Sequence, residues 1–412
     1  MSTVPDLLKL KWGSEIELPS SRALAETPHF IGGRYPCRSV AYIPRQILSS
    51  IKRNKNNLVV LDPFMGSGTT AIEATFASCK ILGVELDPYA RLIATVSTTK
   101  LSRVKIKRLE DCLRKIADNV ERTAPLASVK PSLKNLEYWF SLSNYKKLWK
   151  LRTCIKKYSP SQDIEAFLLA AFGDIIRACS KAERQSLKPY ISRKFTKVSK
   201  DAYAEYFRIV AKYLSAVKKN DQNGQTGICW LRGNATNFTT SLKVDIAITS
   251  PPYINAMDYT RCIKLESAWV GTANDEVIKS VKAGQLGEAS RRKVSKEIPW
   301  VKRICDKKFS KLSRTDKSRH ETALAYFYDM ERNISNVYRV LRSGGKYFII
   351  VGDSRLRGLV IPTHRILAEI SERIGFSWDH YVFYRIKDHR TSIPRGERGG
   401  KIEHEYVIGL TK

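Results

Sequence analysis

One pattern, met twice near the N-terminal end, limits what this chain can fold into. Residues 57–62, Asn-Leu-Val-Val-Leu-Asp, are a short apolar run closed by an acid. The chain then passes through Pro63-Phe64-Met65-Gly66-Ser67-Gly68-Thr69-Thr70 into the helical idiom of Ala71-Ile72-Glu73-Ala74. Such a run, followed by a glycine-bearing turn and helical spacing, predicts strand, turn and helix. Residues 80–85, Lys-Ile-Leu-Gly-Val-Glu, repeat the strand and its terminal acid, and Pro88-Tyr89-Ala90-Arg91-Leu92-Ile93 opens another helix. Two βα units in succession predict a parallel sheet and an α/β fold.

The idiom breaks off near Leu101. From 101 to 225 long amphipathic stretches rich in lysine and arginine predict a helical, basic insertion, and short buried strands return at 227–231 and 244–249. A second anomalous stretch, 271–319, carries Arg291, Arg292, Lys293, Lys302, Arg303, Lys307, Lys308, Lys311 and Arg314. It reads as loop and short helix outside the core, and as a candidate for contacting a polyanion. Beyond it the spacing predicts a helix over 323–341 that stops at Gly344-Gly345, a strand over 346–351, a helix over 362–374, and strands at 381–384 and 405–409.

Composition narrows the partner. The chain has 412 residues, 43% of them hydrophobic, and its 72 Lys and Arg against 40 Asp and Glu leave a net charge of +32. That excess favours nucleic acid over an anionic membrane as partner. The first residues lack a basic-then-apolar leader, and no run reaches the roughly 18 apolar residues of a spanning helix. Cys37, Cys79, Cys112, Cys154, Cys179, Cys229, Cys262 and Cys305 form no CxxC pair. They read as reduced, buried thiols in a cytoplasmic chain.

The glycine turn points to a ligand. Gly66 and Gly68 let the backbone approach a bound group closely and adopt positive φ. No Lys-Ser or Lys-Thr follows the second glycine, so the turn is not a P-loop, and no third glycine completes GxGxxG. A nucleoside cofactor at the carboxyl ends of parallel strands remains, with Glu85, about 20 residues on, placed to accept ribose hydroxyl protons. The competing reading makes Asp62 and Glu85 helix-capping or solvated acids.

Taken together, DPFMGSGTT, GVELDPYA and Thr249-Ser250-Pro251-Pro252-Tyr253 resemble the S-adenosyl-L-methionine-dependent DNA amino-methyltransferases, which modify cytosine N4 or adenine N6. The resemblance implies a Rossmann-like methyltransferase fold, with residues 1–100 and 226–412 as the catalytic domain. It assigns the cofactor-wrapping turn to Phe64, Gly66, Gly68 and Thr69, support of the loop and the methionine amine to Asp62, and the ribose to Glu85, with Asp87 as the alternative. The segment from His29 through Arg34 to Tyr35 and Pro36 resembles the one lying over the methionine end. Arg232-Gly233-Asn234-Ala235 resembles the turn that contacts the adenine, here with Asn234 in place of an acid. Residues 398–409 resemble the family's last strand motif. Glycine turn first and SPPY later is the unpermuted order.

At 249–253 two prolines fix a rigid turn and supply no N–H, so nearby carbonyls stay open to an amine. Tyr253 offers a flat face for an extruded base. In the resembling family Ser250, Pro251, Pro252 and Tyr253 hold the target amine for direct in-line attack on the methyl group. The serine leans toward cytosine N4. The chain therefore reads as a methylase of double-stranded DNA in the cytoplasm, associated with the nucleoid through its substrate, either solitary or partnered by a restriction endonuclease. Adenine N6 is the near alternative, and an RNA amine a more distant one. A non-catalytic DNA-binding subunit is the alternative of another class, against which the intact motifs argue. Tyr138, Trp139, Trp149 and Trp300, among cations, read as core aromatics before base-stacking ones.

Overall fold

The computed structural model describes residues 6–19, 27–33, 35–52, 57–183, 186–194, 196–218, 227–254, 258–287, 296–386 and 402–412. Arg34, Arg291, Arg292, Lys293 and Arg398, named above, lie outside the described residues. In chain order come β1 (Ser14–Glu15), α1 (Tyr42–Lys52), β2 (Val59–Asp62), α2 (Thr69–Phe76), β3 (Lys80–Gly83) and α3 (Pro88–Thr98). Next are α4 (Arg103–Asn119), α5 (Leu142–Tyr158), α6 (Gln162–Cys179), α7 (Ala202–Lys218), β4 (Cys229–Trp230) and β5 (Val244–Thr249). The remainder is α8 (Tyr259–Cys262), α9 (Lys264–Val270), α10 (Asp275–Gly284), α11 (Pro299–Thr315), α12 (Lys317–Val340), β6 (Leu341–Gly352), β7 (Ser354–Leu356), β8 (Leu359–Ile361), α13 (Thr363–Ile374), β9 (Ser377–Arg385) and β10 (His404–Thr411).

Among the described residues eight strands form one sheet in the order β1-β9-β10-β6-β5-β2-β3-β4. The strands from β4 to β6 are parallel, and β10 runs antiparallel between β6 and β9. From β2 the chain moves outward to β3 on one side and resumes with β5 on the other. Open α/β sheets bind ligands at such a reversal, beyond the carboxyl ends of the strands.

Strand alternation explains the two packed faces. Val60, Ile81, Ile246, Ile248, Phe348 and Ile350 pack against α1 and α2. Leu61, Leu82, Ala247, Tyr347 and Ile349 face α12 and α13. With both faces covered, the strands must be apolar throughout. At roughly 1.5–3 kcal/mol per fully buried large side chain, these residues supply much of the force holding the sheet between its helices.

Helices α4 to α7 build a further core on the outer side of α3, joining Tyr89 and Ile93 to Leu168, Phe172, Tyr206, Tyr213 and Trp269. Trp269, fully buried, meets Phe140, Tyr145 and Phe172 edge-on at 5.6, 5.2 and 6.3 Å between ring centres. The module departs from and rejoins the sheet at one place, where Gly227 N–H reaches the Thr98 carbonyl at 3.4 Å.

Several sequence expectations shift. The helix before Gly344-Gly345 ends at Val340, and β6 begins at once with Leu341. The glycines instead close the sheet's end, Gly344 N–H donating to the Lys412 carbonyl and Lys412 N–H to that of Gly345. Within 271–319, α11 is helical with a kink at Phe309, and it is not a loop outside the core. Val301, Ile304, Cys305, Phe309 and Leu312 bury one face of it against α12, because its basic residues occupy the opposite face. Tyr138, read as core, is 61% exposed. Cys37 and Cys229 are exposed while the other cysteines are buried, and all eight are free. Among the described residues no helix is long and apolar enough to cross a membrane.

Candidate active site

Asp62 closes β2, and its Oδ1 accepts from Phe64 N–H at 3.0 Å and from the Thr249 hydroxyl at 2.6 Å. Thr249 ends β5, so this one carboxylate ties the glycine turn to the strand that delivers Ser250. Burial pushes the Asp62 carboxyl up to about 6, against the pull of Thr249 and Phe64.

Beyond Asp62 the turn is held from below by Met65 N–H to the Val84 carbonyl at 3.0 Å and by Gly68 N–H to that of Met65 at 2.9 Å. Gly66 and Gly68 both have positive φ, +52° and +88°. They serve different purposes. A Cβ on Gly68 would lie 2.8 Å from the Ala94 Cβ, so the absent side chain lets α2 start against α3. A Cβ on Gly66 would meet nothing nearer than Tyr35 at 3.9 Å. Gly66 therefore keeps the backbone open toward a cleft.

That cleft has a cavity volume of about 130 Å³ and opens to solvent, and both Gly66 and Ser250 line it. Tyr35, Phe64, Glu85, Asp87 and Pro252 share the wall. Glu85 accepts from Gly66 N–H at 2.7 Å through one oxygen and from Asp87 N–H at 2.8 Å through the other. An ionised carboxyl has about four acceptor positions, and with Leu86 N–H also bonded to it Glu85 keeps room for one further hydroxyl proton. Burial raises the Glu85 carboxyl above its ordinary range. Asp87 caps α3 through Tyr89 N–H, and burial together with the Glu85 charge pushes it up to about 7.

The remaining sequence-derived residues lie around the cleft in different ways. Pro251 is buried behind it, and Gly68 and Thr69 form the start of α2. Tyr253 points its hydroxyl to Glu405, which also receives the Tyr384 hydroxyl. Asn234 turns inward: its side-chain oxygen accepts from Thr236 N–H at 2.8 Å and the Thr236 hydroxyl at 2.7 Å. Its neighbour Ala235 faces the cleft. The acceptor that sequence reasoning offered to an adenine amine is thus engaged within its own turn.

Sequence reasoning missed the outer wall. Tyr259, Val281, Gly284 and Leu286, from α8, α10 and the turn after α10, close the cleft opposite the glycine turn. The apolar spacing of Val281 and Leu286 was the available signal, hidden among lysines. The Glu405 link to Tyr253 spans 152 positions, and nothing local announces it.

Comparison with known proteins agrees with this geometry. Residues 20–95 match a family model described as DNA methylase. The Type II methyltransferase M.MvaI of Kocuria varians is 21% identical over 385 residues, covering 85% of this chain and 82% of that protein. The Type II methyltransferase M.AvaI of Nostoc sp. is 25% identical over 400 residues, covering 84% and 79%. A solved S-adenosylmethionine-dependent methyltransferase from Methanosarcina mazei covers 88% of this chain and 96% of its own at 9% identity and a TM-score of 0.32, too faint a likeness to add to the strand order.

Strand order and cleft are those of a Rossmann-like α/β fold with its ligand site at the carboxyl ends of the parallel strands. Over residues 20–95 the chain is similar to the DNA methylases, and along most of its length it is similar to Type II methyltransferases at 21% and 25% identity.

Proposed function

We propose that this protein is a site-specific Type II methyltransferase of duplex DNA, acting in the cytoplasm on the exocyclic N4 amine of cytosine. The observation that carries the reading is the single cleft shared by the glycine turn and Ser250, with Asp62 bonded to the residue before that serine. The open side of Gly66, the apolar face of Phe64 and the remaining acceptor position of Glu85 fit a nucleoside with a charged amino-acid tail. Asp62 would hold the methionine amine and Glu85 the ribose. When bound, S-adenosylmethionine supplies an electrophilic methyl group on a positive sulfur.

The chain's own work is positional. Ser250 and the carbonyls of the proline turn accept the N–H groups of the target amine and aim its lone pair, while Pro251 and Pro252 bring no N–H donor to compete. Tyr253 stacks the base that has left the helix. As positive charge grows on the amine nitrogen, acceptors already in place stabilise it without rearranging. The bound cofactor would supply the methyl group to the amine that Ser250 and the proline-turn carbonyls hold, and the proton given up by that amine would pass to solvent. A restriction endonuclease of the same target sequence is the partner this role implies.

Duplex DNA incubated with the protein and methyl-labelled S-adenosylmethionine, then digested to nucleosides for mass spectrometry, should contain labelled N4-methylcytosine. Labelled N6-methyladenine alone would reverse the base assignment. No label in any DNA, despite cofactor binding, would favour a non-catalytic subunit.

A further inference from the structure

Beside the cleft rim, the helical module meets the sheet domain in a band of cations and aromatic rings that the chemistry above does not use. Tyr259 and Thr260 line the cleft, and Arg261 and Lys264 follow within the next turns. The Lys264 ammonium lies 4.6 Å from the centre of the Trp139 ring, and that of Lys181 lies 5.2 Å from the centre of the Tyr138 ring. Lys181 N–H donates to the Trp139 carbonyl at 2.7 Å, which joins the two pairs. Arg177 pins the band to the rim: its guanidinium donates to the Cys262 carbonyl at 2.6 Å and to that of Ser186 at 3.2 Å. Lys188 and Tyr190 follow Ser186 in the chain, both exposed.

Cations here outnumber the acids near them, of which Asp275 acts on Lys264 from α10. Asp258 is answered by Lys282 at 3.1 Å, Glu266 by Arg177 at 3.4 Å, and Glu137 accepts from the Tyr145 hydroxyl. Lys181, Lys188, Arg261 and Lys264 form no salt bridge among the described residues. Burial, followed by repulsion from Arg261 and Arg177, holds the Lys264 ammonium below its ordinary value. Cations crowded together beside half-exposed tyrosines make a surface that an external polyanion would relieve. Chains of phosphates with bases between them match it in both respects.

We propose that the band of Tyr138, Lys181, Lys188, Tyr190, Arg261 and Lys264 is the surface on which the backbone of duplex DNA lies while its target base occupies the cleft. This rests on the reading that duplex DNA is the substrate. It places the duplex on the helical module's side of the sheet and away from the basic face of α11, which packs over the opposite face. Phosphate contacts of this kind set position and strength and leave sequence choice to other groups.

Fluorescence anisotropy with a labelled duplex, across a salt series, tests the assignment in the full-length protein. Lys181→Ala/Arg261→Ala/Lys264→Ala should weaken DNA binding about tenfold or more at low salt and flatten the slope of log affinity against log salt by about 0.9 per lost contact. Cofactor binding should be unchanged, and Lys307→Ala/Lys308→Ala on α11 should keep the wild-type slope. Should the triple variant lose cofactor binding through misfolding, exposed Arg261→Glu alone must still weaken DNA binding without affecting the cofactor. Wild-type affinity and slope in the band variants, or the loss appearing in the α11 variant, would overturn the assignment. A wild-type protein that methylates DNA while the band variants do so equally well at raised salt overturns it alone. A wild-type protein that neither binds nor methylates DNA overturns the substrate reading and this assignment with it.

Discussion

Asp62 serves two preferences that oppose each other in pH. Its carboxyl is pushed from 3.8 to about 6 by burial. Between those values the folded chain holds a proton that the unfolded chain releases, so this group favours the fold on the acid side, and that advantage is lost as pH rises through 6. A cationic amine needs the ionised carboxylate. Cofactor affinity should therefore fall as pH drops below 6 and level off above 7, and Asp62→Asn should abolish that dependence and weaken binding roughly tenfold or more at pH 8, read by calorimetry. Gly66→Val places a branched side chain at positive φ on the cleft side and should lose cofactor binding. Tyr253→Ala should lose most turnover while still binding cofactor. Glu405, which receives the Tyr253 and Tyr384 hydroxyls, gives a finer test. Glu405→Gln keeps an acceptor and should retain activity, whereas Glu405→Ala should lower kcat with little change in cofactor affinity.

Among elements, the joint between α6 and the helices after the proline turn is buried and ionic. The Arg177 guanidinium and the Glu266 carboxylate are 4% and 3% exposed and stand 3.4 Å apart. Removing one partner leaves a buried charge without an answer, so Arg177→Met should cost about 3–5 kcal/mol of stability, measured by denaturant unfolding. Arg177→Met/Glu266→Leu should recover much of it. Such joints also show what could be read from sequence. The two strand-turn-helix units and the proline turn were legible because each is specified locally, by an acid, glycines or prolines at fixed offsets. Helix α11 was obscured because Lys302, Arg303, Lys307 and Lys308 are interleaved with its apolar residues, although Val301, Ile304, Cys305 and Leu312 keep helical spacing. The short strand β1, which pairs with β9 through Ser14 and Glu15, carries no apolar run at all. Tyr138 looked like core because side-chain type is a guide to burial only where neighbouring elements are known. Likewise the residues that complete the cleft from α8 and α10 are assembled by folding, and no spacing rule links them to Gly66.

Across the whole molecule, a net charge of +32 is a standing repulsion that the fold tolerates and a polyanion relieves. Thermal unfolding at low salt should show a midpoint raised by several degrees when duplex DNA is added, and the gain should vanish near 0.5 M salt as counterions screen the contact. The helical module, meanwhile, is attached to the sheet at a seam where Thr98 and Gly227 meet. The chain crosses only there, but the packing is broad: α6 and α7 share a core with α3 and α9, and the Tyr213 hydroxyl accepts from Gly32 N–H at 2.7 Å. Whatever a lineage alters in the helical module is therefore felt through α3 and Arg177 at the rim of the cleft, so the two must drift in step.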